Sequence, residues 1–96
     1  DVVKEYIGHG IGRTLHESPD IPAYGHRGVG ERLRAGHVLC LEAQVCAGRD
    51  KITHLKDGWT TLTADGENCV WFEYMVAVTD KGPEVLTDTR DWPLIV

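Results

Sequence analysis

The chain has no excess of positive charge. Ten Lys and Arg stand against fifteen Asp and Glu, giving a net charge of −5 with acids and bases interspersed. Nucleic-acid recognition needs a basic face, so this composition argues against a nucleic-acid partner. Long hydrophobic runs are also missing: no apolar stretch approaches the roughly 18 residues of a membrane span, and no signal peptide is visible, so no membrane role is expected. The only serine, Ser18, precedes a proline and has no G-x-S-x-G elbow around it, which sets serine-hydrolase chemistry aside. Cysteine is sparse and odd in number. Cys40, Cys46 and Cys69 form no C-x-x-C pair and read as free thiols of a reducing, cytoplasmic compartment and as small buried hydrophobes. Cys40 lies two residues from Glu42, but no helix start or basic neighbour is evident to activate it as a nucleophile. Repeats, low-complexity tracts and any helical period sustained over three turns are absent. The 96 residues predict one soluble domain with a modest core, at 42% hydrophobic and 26% charged. The chain begins at Asp1 rather than Met, as a processed chain or a fragment does.

Glycine, by contrast, is concentrated where it matters. The stretch Gly8-His9-Gly10-Ile11-Gly12-Arg13-Thr14-Leu15-His16-Glu17 places two histidines seven residues apart in a glycine-rich run. Glycines at alternate positions clear one side of the segment and let another backbone or a substrate approach. His9, between two glycines and flanked by Ile7 and Ile11, needs a partner there. A carbonyl would serve a core histidine; a metal ion would serve a ligand.

Two carboxylates bear on that choice. Val38-Leu39-Cys40-Leu41-Glu42-Ala43-Gln44-Val45-Cys46-Ala47 and Cys69-Val70-Trp71-Phe72-Glu73-Tyr74-Met75-Val76-Ala77-Val78 are the two most apolar runs, and each reads as a strand buried on both faces. A charged carboxylate in such a strand costs several kcal/mol unless it is paired or holds a metal. A histidine and two glutamates suit a divalent ion such as Co, Mn, Fe or Zn.

Around these runs, Val2 to Ile7 reads as a short strand leading into the glycines, and Ser18-Pro19-Asp20-Ile21-Pro22 as a break in regular structure. Tyr24 to Gly30 reads as an exposed loop carrying a solvated His26, and residues 31–36 as a turn or helical turn. His37 falls at a strand entrance. Ile52 to Lys56 and Trp59 to Thr63 read as strands around an Asp57-Gly58 turn, with His54 facing solvent. Asp65-Gly66 and Asp80-Lys81-Gly82 are further turns, followed by Pro83 to Thr87. Residues 88–96 form a tail, docked or loose. The pattern is mostly antiparallel β.

Three segments taken in order, GHGIGRTLHESP, LRAGHVLCLEAQVCAG and KDGWTTLTADGENCVWFEYMVAVTDKGPEVLT, resemble the C-terminal half of type I methionine aminopeptidases. The resemblance spans residues 1–87, leaving 88–96 as a tail. It implies an α+β class, the second half of a pita-bread fold, mostly antiparallel β in this portion. It implies an enzyme that removes N-terminal methionine from nascent peptides by metal-activated water. His9, Glu42 and Glu73 match the metal ligands, and Glu42 also matches the residue that exchanges protons with that water. His16 matches a histidine that contacts substrate near the scissile carbonyl, so His16 and Glu42 are the implied catalytic pair. Trp59 matches the rim of the methionine pocket, with Tyr6 and Leu15 flanking it.

The same resemblance shows departures. The family's two aspartate ligands and a further substrate-side histidine have no counterpart in these residues. Two metals per site are usual in the family; the three ligands present suffice for one. Ala43 and Gln44 replace a usual Pro-Met pair, and Tyr74 replaces a histidine. An N-terminal half, or self-association, would complete the site. Competing readings are a non-catalytic peptide- or protein-binding module of the same fold, a relative of the aminopeptidase P or prolidase type, and a structural β domain. The last leaves both carboxylates unexplained.

Overall fold

The computed structural model describes residues 1–92. Seven strands follow in chain order: β1 Gly8–Gly10, β2 Glu17–Ile21, β3 Val38–Cys46, β4 Ile52–His54, β5 Thr61–Thr63, β6 Cys69–Thr79 and β7 Gly82–Val85. Five make one antiparallel sheet in the order β2-β1-β3-β6-β7, and β4 and β5 form a separate hairpin. The mostly antiparallel expectation holds. No helix occurs among the described residues, so the α+β class is represented here by its β part alone.

The two apolar runs become the two long central strands, because β-branched and aromatic residues pack well on a pleated surface. They pair over nine residues, from Val38↔Ala77 to Cys46↔Cys69. Leu39 and Val3 are fully buried, and Cys40, Cys46 and Val76 complete the buried apolar core. Each such aliphatic side chain contributes about 1.5–3 kcal/mol by leaving water.

The glycine run itself is the strand β1, between β2 and β3. A Cβ on Gly8 would lie 2.4 Å from the Cys40 carbonyl oxygen, and one on Gly10 would lie 2.1 Å from that of Ser18. The glycines are therefore what allows β1 to fit between its neighbours.

Three expectations need correction. Val2 to Ile7 is not a continuous strand: residues 1–3 bond to the far half of β3, through Val3 N to Gln44 O (3.0 Å) and Cys46 N to Asp1 O (2.8 Å), and the chain then bends before β1. Second, Ser18 to Ile21 is not a break but most of β2. Proline is tolerated there because β2 is an edge strand; the opposite edge, β7, holds Pro83 in the same way. Third, the central strands are not buried on both faces. Leu41, Val45, Val70 and Trp71 are all exposed. Among the described residues, the 20–33 segment borders a cleft on one side of the sheet and the hairpin borders a cleft on the other.

The start of the tail is docked. The Trp92 ring rests on Tyr74 with centroids 5.0 Å apart, while Arg90 pairs with Asp88. The apolar end of the tail, residues 93–96, lies outside the described residues.

Candidate metal centre

Register brings the carboxylates together. The Ala47 amide bonds to the Asn68 carbonyl, and the Val78 amide to the His37 carbonyl, at the two ends of the β3–β6 ladder. Odd-numbered β3 residues thus sit in hydrogen-bonded pairs and even-numbered ones in the closer, non-hydrogen-bonded pairs. Glu42 and Glu73 are one of the close pairs, directly opposite on one sheet face. Like charges so placed repel unless a cation lies between them or near them. On the other side of β3, His9 pairs with Cys40 and shares that face.

The histidine is set to offer a lone pair. His9 is 8% exposed, and its Nδ1 lies 2.8 Å from the Gly10 carbonyl oxygen. A carbonyl only accepts, so Nδ1 carries a proton, which leaves Nε2 as the ring nitrogen able to offer a lone pair. That nitrogen lies 3.6 Å from Glu42 Oε1, beyond hydrogen-bond reach. A ring lone pair and a carboxylate oxygen facing each other in a buried place are a donor set for a cation. The bond at Nδ1 is the backing that metal-ligating histidines generally have. Ligand atoms of His9, Cys40 and Glu73 also lie within 4.8 Å of one another. The donors present therefore fit a divalent ion. Burial, and then the neighbouring Glu73 carboxylate, push the Cys40 thiol above its ordinary pKa.

The other residues singled out from the sequence are distributed around this centre. His16 is exposed, and its ring lies over His9 with centroids 4.3 Å apart. Tyr6 and Trp59 line a common cleft between the sheet and the hairpin, together with Val3, Gln44, Cys69 and Trp71. The Tyr6 hydroxyl is 3.0 Å from Thr61 Oγ1, which ties the cleft wall to β5, and Trp59 is 91% exposed at the rim. Leu15 lies in the loop between β1 and β2, 66% exposed, and does not line that cleft. His26 faces the cleft on the opposite side of the sheet.

Two features escaped the sequence reading. Gln44 is 6% exposed; its Nε2 donates to Glu42 Oε2 at 3.2 Å, and its Oε1 is buried without a partner. It follows Glu42 by two residues in a strand, so parity alone could have placed it beside that carboxylate. His54 also lines the cleft and bonds Glu5 Oε2 at 3.2 Å. No local signal marks it, because only the folding of the hairpin brings it over.

A histidine and two carboxylates on neighbouring strands are a donor set for a divalent metal, and comparison with known proteins supplies the family. Residues 1–80 match the description of Metallopeptidase family M24, and the chain belongs to that family. Among its relatives, methionine aminopeptidase 1 of Bacillus subtilis is 48% identical over 86 residues, which is 90% of this chain and 35% of that protein. The methionine aminopeptidase of Escherichia coli is 42% identical over 94% of this chain and 34% of its own length. The solved structure of methionine aminopeptidase from Thermotoga maritima superposes with a TM-score of 0.87 at 44% identity, covering 92% of this chain and 35% of that one. The enzyme from Rickettsia prowazekii gives 0.83 at 40% identity, covering 88% and 34%. The chain thus spans about a third of the length of the relatives it matches. Its fold is the mostly antiparallel C-terminal half of the pita-bread architecture.

Proposed function

We propose that this chain is the C-terminal part of a metal-dependent aminopeptidase that removes N-terminal methionine from peptides. The observation that carries the reading is the placing of His9, Glu42 and Glu73 on one sheet face, with His9 Nε2 3.6 Å from Glu42 Oε1 and with ligand atoms of His9, Cys40 and Glu73 within 4.8 Å of one another. The relatives at 40–48% identity, all named methionine aminopeptidases, support the activity and favour it over proline-directed relatives of the same fold.

In this reading His9, Glu42 and Glu73 hold divalent metal, with Co, Mn, Fe and Zn all compatible with the nitrogen and oxygen donors. Bound metal supplies Lewis acidity to the scissile carbonyl and acidity to a water. Glu42 takes up and returns a proton at its carboxylate, and the Gln44 carboxamide holds Oε2 of that carboxylate in place. His16, exposed beside His9, contacts the peptide near its scissile bond. Tyr6 and Trp59 wall the cleft that takes the methionine side chain, whereas Leu15 stays outside it in the loop before β2. The family's paired-metal site is completed by further protein, an N-terminal half or a second copy. A reducing cytoplasmic setting fits the three free thiols.

Calorimetric titration with Mn(II) and Co(II), followed by a Met-peptide cleavage assay on the same sample, tests this function. Metal binding is expected for the unaltered protein. Loss of a mere supporting partner of a metal ligand costs about 10–100-fold in affinity, so Glu73→Ala costs at least tenfold. His26→Ala, on the opposite side of the sheet, leaves affinity unchanged. Equal effects at the two positions refute the site. Metal uptake without cleavage, in a protein supplied with its missing ligands, favours the binding-module reading instead.

A further inference from the structure

Beyond the carboxylates, the same sheet face ends in two thiols. Cys46 closes β3, Cys69 opens β6, and they are direct cross-strand partners. Since Ala47 and Asn68 form a hydrogen-bonded pair, Cys46 and Cys69 form a close one. Residues in such pairs have Cα atoms about 4.5 Å apart. Disulfides bridge Cα separations of about 4.4–6.8 Å, so the backbone spacing already suits a bond. The Cys46 thiol donates to Cys69 Sγ at 3.1 Å. Cys46 is buried and Cys69 is exposed, lining the cleft beside Gln44 and Trp71. Cys40 provides an internal contrast: it is buried, and its partners are Met75 on β6 and His9 on β1 rather than another cysteine.

We propose that Cys46 and Cys69 are a dithiol site that small-molecule disulfides, of which oxidised glutathione is the type, convert to a reversible intrachain disulfide. The exposed Cys69 loses its proton to solvent, and its thiolate attacks one sulfur of oxidised glutathione. A protein–glutathione mixed disulfide forms and one glutathione thiolate leaves. Cys46 then loses its proton, and its thiolate attacks Cys69 Sγ; the protein disulfide forms and the second glutathione thiolate leaves. Both thiolates that leave take up protons at neutral pH. Two protein thiols are oxidised and one glutathione disulfide is reduced to two thiols. The bond closes a loop that contains the β4–β5 hairpin, and it forms at the wall of the cleft. This thiol–disulfide exchange uses no metal and does not depend on the proposed peptidase activity.

The test is incubation of the purified, metal-free protein with oxidised glutathione, followed by intact-mass measurement and non-reducing peptide mapping. The expected product has lost the mass of two hydrogens, retains Cys40 as its sole alkylatable thiol, and yields a linked Cys46–Cys69 peptide pair. Dithiothreitol restores all three thiols. Cys46→Ser stops at a glutathione adduct on Cys69, whereas Cys40→Ser still forms the bridge. The proposal is overturned if the unaltered protein keeps three free thiols, stops at the adduct, or links Cys40 instead. These outcomes are read on the unaltered chain, so a poorly folding variant does not obscure them.

Discussion

Replacing Gly10 by alanine separates the structural claim about β1 from a general intolerance of the glycine run. A Cβ at this position would stand 2.1 Å from the Ser18 carbonyl oxygen, 2.7 Å from its carbon and 2.9 Å from the Glu17 carbonyl oxygen. Ordinary contact begins near 3.4 Å, so the first distance falls short by 1.3 Å. All three atoms belong to backbone, and no rotamer change relieves them. The β2 strand must retreat, and the pairs His9↔Asp20 and Gly10↔Glu17 are lost or stretched. Overpacking costs about 1–3 kcal/mol, and each weakened ladder bond adds about 0.5–1.5 kcal/mol. A loss on the order of 3 kcal/mol follows, a large part of the roughly 5–15 kcal/mol that holds a typical domain folded. His9 lies on the same short strand, so metal affinity falls with it. Gly12→Ala is the control. Its Cβ would stand 2.9 Å from Glu17 Oε2, the end of a side chain. That carboxylate can swing aside, at the expense of its 2.8 Å bond from the Thr14 amide, for about 1 kcal/mol. Urea unfolding of both variants, with Mn(II) titration of the folded forms, gives the comparison. If the two variants lose the same stability, or if Gly10→Ala binds Mn(II) as the unaltered protein does, close approach of β2 is not what the glycine serves.

Two further outcomes follow from the packing and the turns. Leu39→Ala removes a fully buried side chain near the start of β3 and lowers stability by about 2–5 kcal/mol in urea unfolding, whereas Leu15→Ala, in an exposed loop, changes it by less than about 0.5 kcal/mol. Asp57 closes the hairpin turn: its carboxylate accepts from the Thr60 hydroxyl and from the Trp59 and Thr60 amides, which hold its pKa below the ordinary 3.8. Because the folded value is the lower one, its stabilisation is full above pH 3.8 and fades as pH falls through the folded value. The Trp59 and Thr60 amide resonances are expected to shift in that acid range. Asp57→Asn abolishes the titration, and a shift that persists in this variant would assign it to another group.

Much of this protein could be read from residue order alone. An apolar strand tolerates a carboxylate only for a reason, so Glu42 and Glu73 marked themselves, and a histidine between glycines marked a crowded strand. Turn chemistry at Asp57-Gly58 and Asp65-Gly66 located the hairpin and its exit. The three quoted motifs, in their order, carried the family. Each of these is a local signal, written within a few residues. Tertiary structure decided what depends on pairing between distant segments. Parity fixes which residues of one strand share a face, but only the β3–β6 register sets Glu42 opposite Glu73 and Cys46 opposite Cys69. The edge position of β2 turned a proline-containing break into a strand, because an edge residue has no outer partner to satisfy. The same geometry left Leu41 and Val45 exposed where hydrophobicity predicted burial, since a residue's surroundings are set by what packs over the sheet and not by its own side chain.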